Sequence, residues 1–240
     1  MSKMTTVEAL RTCLYENGIE MLLDYPKLCG KLWDLAPAEL LGRERFRAIY
    51  ETGAVESIHE AVMDAAHYTD HFAKAMEKLC TRDGMTVAAC EETLMLFYDA
   101  LGFPPKKPIE NVQTVTEGDW KYTGEIKYGK PHGVGKEELL AYGIVCSSRD
   151  GQWLCGSPFG YFHSIDSLGV ESYSFCIDGW TIGKETRIWS EDDIEVIDHG
   201  YDPDKVKPKK ITDNKQQIHQ SLVDALSAIA MDRKDGWHGK

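Results

Sequence analysis

The sequence predicts an α+β protein, with an N-terminal helical bundle, an antiparallel β-sheet of stacked hairpins and a C-terminal helix. Three observations predict it. Apolar residues recur at intervals of three and four up to Gly102. A spaced glycine pair then appears three times among alternating aromatics: Gly129-Lys130-Pro131-His132-Gly133, Gly156-Ser157-Pro158-Phe159-Gly160 and Gly179-Trp180-Thr181-Ile182-Gly183. Finally, Ile218, Leu222, Ala225 and Ile229 form one helical stripe behind a polar cap, Asp213-x-x-Gln216.

The helical segment is read from its start and stop signals. Thr5-Thr6-Val7-Glu8 is a capping-box pattern, and Asn17-Gly18 ends the helix it opens. Asp24 before Pro26 starts a second helix carrying Leu28, Leu32 and Leu35, and Pro37 begins a third that stops near Thr52-Gly53. Val55, Ile58 and Val62 mark a fourth; Phe72, Met76 and Leu79 mark a fifth. After the turn Arg82-Asp83-Gly84, Thr86 caps a last helix whose stripe is Val87, Cys90, Leu94, Phe97 and Leu101. The expected organisation is a bundle over 1–103, a Pro-containing linker over 104–116, a β domain over 117–198, and a connector, helix and polar tail over 199–240.

In the β domain each unit reads as a strand, a turn at the first glycine and a return strand. Trp120, Tyr122 and Ile126 fall on one face of the first strand, the period-2 signal of a half-buried strand. Trp153 precedes the second turn; Tyr173, Phe175 and Ile177 precede the third. The turns are 27 residues apart (129 to 156) and 23 apart (156 to 179), a spacing that signals stacked repeats. A lone hairpin is marginal in water, so the units must stack or pack on something else. Glu191–Asp198 alternates apolar and acidic residues at its end, as an edge strand does.

Tyr122-Thr123-Gly124-Glu125 followed by Gly129-Lys130-Pro131-His132-Gly133-Val134-Gly135 resembles a MORN repeat, whose pattern is Tyr-x-Gly and then a Gly-x-x-His-Gly-x-Gly turn. The second unit keeps Gly156, Pro158 and Gly160 but has Phe159 at the histidine position; the third keeps Gly179 and Gly183. The resemblance implies β-hairpins stacked into a curved sheet that mediates protein contacts or membrane association rather than catalysis. It also implies that His132 braces its turn, together with the structural glycines Gly129, Gly133, Gly135, Gly156, Gly160, Gly179 and Gly183. Most of residues 7 to 103, including Asn17-Gly18-Ile19-Glu20-Met21-Leu22-Leu23-Asp24 and Asp34-Leu35-Ala36-Pro37, is similar to a helical module at the front of many bacterial multidomain proteins. That likeness implies an adaptor-like front end from a bacterium or a phage.

Composition narrows the function classes. A net charge of −12 opposes broad nucleic-acid binding, because a phosphate backbone is repelled. No run of eighteen apolar residues is present, so no membrane span is expected. The polar start and seven cysteines without a CxxC pair fit a cytoplasmic protein with reduced thiols. No GxSxG, GxxxxGK[ST], HExxH or GxGxxG pattern occurs; Gly133-Val134-Gly135-Lys136 belongs to the repeat.

Chemistry is left to scattered candidates. Cys155 and His163 are a possible nucleophile and base if folding brings them within hydrogen-bond reach. Cys146, Cys155, His163 and Cys176 have the right ligand types for a metal but no recognised spacing. His67 and His71 are four apart on a helix and read as surface polar residues. The aromatics carry more weight, since a single-layer sheet cannot hide both faces and exposed aromatic patches mark recognition surfaces. The first expectation is therefore a non-enzymatic protein, without cofactor or metal, that binds a protein partner through Trp120, Tyr122, Trp153, Phe159, Tyr161 and Trp180. A small-ligand binder and a cysteine-dependent hydrolase are the alternatives. Open sheet edges also allow a homodimer. Whether a helix covers the aromatic face is left open, as is whether the C-terminal stripe lies on this protein's sheet or on a partner helix.

Overall fold

The computed structural model describes residues 4–36, 43–82, 84–104, 112–203 and 206. Among them six α-helices precede eight strands, so the chain is α+β with its helices first. Helix α1 (Thr6–Asn17) opens on a full capping box: Thr5 accepts the Glu8 N–H at 3.2 Å, and the Glu8 carboxylate accepts the Thr5 N–H at 2.9 Å. A 3-10 segment, Ile19–Leu23, follows with Ile19, Met21 and Leu22 buried; no periodic signal in the sequence announces it. Helix α2 (Tyr25–Leu35) is capped by Asp24 with Pro26 in its first turn. Helix α3 (Arg43–Glu51) is described from Arg43, so the expected start at Pro37 lies outside the described residues. Helices α4 (Ala54–Met63), α5 (Tyr68–Cys80) and α6 (Val87–Leu101) complete the set. In α6, Cys90, Leu94, Phe97 and Leu101 are fully buried, but Val87 is exposed because the first turn projects beyond the packed region.

The strands are β1 (Gln113–Glu117), β2 (Trp120–Lys127), β3 (Lys130–Ala141), β4 (Ile144–Leu154), β5 (Ser157–Ile165), β6 (Glu171–Ile177), β7 (Trp180–Ser190) and β8 (Asp193–Asp198). They form one antiparallel meander in chain order, with β1 and β8 at its edges. Residues 113–116 of β1, which pairs with β2, fall within the segment read as a linker. The turns at Tyr128-Gly129, Cys155-Gly156 and Asp178-Gly179 share one end of the sheet, and both residues of each have positive φ. That is the two-residue hairpin geometry whose twist matches the strands. The turns are also laddered: the Gly156 N–H donates to the Pro131 carbonyl at 2.7 Å and the Asp178 N–H to the Pro158 carbonyl at 2.8 Å.

The helices lie on one face of the sheet, and the described helices and strands belong to one compact unit. Tyr15 meets Phe159 edge-on at 5.5 Å, while Phe103 packs against Tyr161 at 5.5 Å and Phe175 at 6.0 Å. The C-terminal turn of α6 is held from both sides. Arg11 of α1 donates to the Asp99 and Ala100 carbonyls, and the buried Gln152 of β4 donates to the Ala100 carbonyl at 3.0 Å. Gly160 and Gly183 make this approach possible. A Cβ on Gly160 would lie 2.5 Å from the Leu101 carbonyl oxygen, and one on Gly183 would lie 2.4 Å from that of Met63. Next to that second contact, Lys184 of β7 pairs with Asp64 at 3.1 Å. The expected C-terminal helix, with Ile218, Leu222, Ala225 and Ile229, lies outside the described residues.

Candidate functional site

Alternation along the strands divides the aromatics between the two faces. Phe159 and Tyr161 point to the helices and are buried, so they are not part of an exposed recognition face. Tyr122 and Trp153 point to the far face yet are buried too, because the rings cover one another. Tyr122 meets Trp153 at 5.1 Å and Trp153 meets Phe162 at 4.9 Å, both edge to face, with Cys176 and Ile126 alongside. Glycines make room beneath the rings: a Cβ on Gly135 would lie 2.3 Å from the Tyr122 hydroxyl oxygen, and one on Gly151 would lie 2.1 Å from the Phe162 ring. Of the six expected contact residues, Trp120 and Trp180 alone are exposed, at 47% and 56%.

The Cys155–His163 pair does not form. Cys155 sits in the β4–β5 turn and His163 near the far end of β5, on the order of 20 Å away by the rise per residue. His163 instead stacks on Tyr173 at 4.8 Å. Cys155 meets His132, whose Nδ1 accepts the Cys155 N–H at 3.4 Å and lies 3.9 Å from Sγ. Burial, with Lys127 and Arg11 nearby, depresses the His132 pKa to about 4, so the ring is neutral near pH 7. The thiol set Cys146, Cys155, His163 and Cys176 does not converge, and no group of three or more potential metal ligands occurs among the described residues. His67 pairs with Asp64 at 2.9 Å, and His71 is buried beside Glu60, so these two histidines do not share a ligand position.

What remains on the far face is a polar row. The register aligns Glu137, Arg149, Ser164, Ser172, Arg187 and Glu195 straight across β3 to β8. Arg149 pairs with Glu137, and Arg187 makes a two-pronged contact with Glu185 at 3.0 and 3.3 Å. His199 Nε2 lies 2.8 Å from the Glu185 Oε2 that Arg187 also contacts. Burial pushes the Glu185 pKa up, but the hydrogen bonds from Arg187 and His199 outweigh it and hold the carboxyl below its ordinary value. This row floors a trough of about 410 Å³ bordered by Trp120 on β2 and Trp189 on β7.

A second feature occupies the same end of the sheet, opposite the glycine turns. Leu139 to Val145 is an unbroken apolar run through the β3–β4 turn, in which Tyr142, Ile144 and Val145 are exposed. Leu168, in the β5–β6 connection at the same end of the sheet, is 77% exposed. The aromatic count in the sequence drew attention to the rings that became core. The trough and this rim depend on strand register, and only the uninterrupted apolar run at Leu139–Val145 offered a sequence signal. No known family model matches this chain, and no curated protein matches it.

Proposed function

We propose that this is a non-enzymatic interaction protein that presents the rim of its sheet to a protein partner. The observation that supports the reading most is the cluster of exposed apolar side chains at one end, Tyr142, Ile144, Val145 and Leu168, on a chain of net charge −12. Exposed apolar side chains gathered at one end of a sheet mark contact sites, and tyrosine is among the residues that anchor them. Acidic turn residues at the same end, Asp119, Glu191 and Asp192, favour a partner whose apolar patch is ringed by basic side chains. The stacked hairpins fit the MORN-like reading of the sequence, which belongs to this proposal.

The test is quantitative affinity capture with the full chain, with Tyr142→Ser/Ile144→Ser, and with Trp180→Ser as the control at the opposite end of the sheet. The expected result is a defined set of proteins lost from the double variant and kept by the control, at matching melting temperatures. Identical capture by all three overturns the reading. The trough supports a second reading, a small-ligand binder, because a concave site of that volume with a few convergent polar groups suits a small molecule.

A further inference from the structure

We propose that the trough between Trp120 and Trp189 binds a neutral saccharide. This rests on the small-ligand reading and adds the class of ligand.

The floor pairs most of its charges and stays net acidic. Arg149 is matched by Glu137 and Arg187 by Glu185, with Glu195 at 4.0 Å, while Asp166 at the border accepts the Leu168 and Val170 N–H groups. Each guanidinium has five N–H groups in a fixed plane, and Arg187 spends two of them on Glu185. The unused N–H groups, the remaining carboxylate lone pairs and the hydroxyls of Ser164 and Ser172 make a dense array of directed donors and acceptors. An anionic ligand is repelled both by this net-acidic floor and by the surrounding charge of −12. A cation finds Glu137 and Glu185 already paired with guanidiniums and one Asp166 oxygen already held by two backbone N–H groups. A peptide lying across the strands would leave its backbone N–H and C=O groups unpartnered, because the sheet offers them partners at its edges and not on its face. A neutral ring bearing several hydroxyls satisfies this array without bringing charge.

The walls give the second half of the match. Trp120 and Trp189 are about half exposed, at 47% and 50%, and both border the trough. An indole offers a broad apolar face to the C–H face of a pyranose, while the sugar's hydroxyls turn to the floor. Five strand spacings separate β2 from β7, on the order of 24 Å across the pleat. The site therefore suits an oligosaccharide running across the strands better than one sugar.

The experiment is isothermal titration of the full chain with neutral tetrasaccharides (cello-, malto-, xylo- and N-acetylchito-), with a heparin tetrasaccharide as the anionic comparator. Expected is saturable binding of at least one neutral member, weakened at least about tenfold in Trp120→Ala and in Trp189→Ala. Trp120→Phe should retain part of the affinity, since stacking survives. No saturation by any neutral member, preference for the heparin fragment, or affinity unchanged in both alanine variants overturns the proposal. Native mass spectrometry of the purified protein separates the two levels of failure. A non-saccharide mass that is carried through purification and absent from Trp120→Ala refutes the saccharide and keeps the ligand site. An empty protein indifferent to every probe refutes both.

Discussion

On the helix-facing side of the sheet, Phe159, Tyr161 and Phe175 meet Tyr15 and Phe103 across an interface between helix and strand. On the far side, Tyr122, Trp153 and Phe162 meet one another, and the row beyond them turns polar and charged. Both sides use glycine, for different purposes. Gly160 and Gly183 let the carbonyl ends of α6 and α4 touch the strands, whereas Gly135 and Gly151 let rings of the sheet lie flat on neighbouring backbone. The difference teaches that side-chain alternation sets which residues share a face, while glycine lets either a helix end or a ring of the sheet itself approach the backbone closely.

The largest expected effect breaks that distinction at its firmest point. In Gly160→Ala the new Cβ meets a backbone oxygen that has no rotamer to retreat into, at a residue whose φ is +115°. A loss of about 3 kcal/mol is expected, with helical and sheet signals melting together because the contact joins them. Gly179→Ala shares the positive φ, but no heavy atom lies within 4 Å of its Cβ position. It should lose about 1 kcal/mol, the left-handed penalty alone. Urea unfolding followed by circular dichroism measures both, and equal losses would show that the helix contact adds nothing.

Much of this architecture was legible in the sequence. The Thr5 and Thr86 caps, the Gly18 and Gly102 stops and the three turn glycines are local signals, set by hydrogen bonds and φ preferences within a few residues. The strand β1 was not, because Gln113–Glu117 is exposed along its whole length and carries no alternation. The packing of helices on the sheet was not legible either, because it depends on contacts far apart in the chain, such as Gln152 with the Ala100 carbonyl. For the site, residue type misled: large aromatics were the natural candidates for contact, yet their area is what drives them into the core. The trough needed the register, which aligns Glu137, Arg149 and Arg187 although 50 residues separate the first from the last (137 to 187).

A middle-sized effect tests where helices and the first repeat meet. His132 lies within the influence of Arg11 and Glu8 from α1, and its folded pKa is about 4 against 6.5 for the ordinary side chain. The unfolded chain therefore binds a proton between those values that the folded chain refuses. The stabilisation is full above pH 6.5 and falls as pH drops toward 4. About 2 kcal/mol should be lost between pH 7.5 and pH 5. His132→Asn keeps an acceptor for the Cys155 N–H and removes the titration, so its stability should stay nearly flat across that window. A parallel decline in both proteins would assign the effect to other groups. Asp64 and Glu185, whose pKa values are held low, contribute only at more acidic pH, as it falls through the carboxylate range.

The smallest effect concerns the β3–β4 turn, at the end of the sheet opposite the glycine turns. Tyr142 has φ +53° and precedes Gly143, so the β3–β4 turn has the same geometry as the three glycine turns at the other end. There the Gly156 and Asp178 N–H groups are bound into the turn ladder, whereas Tyr142 is fully exposed. A bulky residue in the left-handed region strains the backbone, and asparagine before glycine is the pairing this turn favours. Tyr142→Asn should therefore stabilise the fold by about 0.5–1 kcal/mol, read as a higher urea midpoint at unchanged slope. It should also weaken partner capture, since it removes the most exposed ring of the rim. A gain in stability together with a loss of capture is what a contact residue kept at the expense of the fold produces. Unchanged capture would detach Tyr142 from the binding surface and leave Ile144, Val145 and Leu168 to carry it.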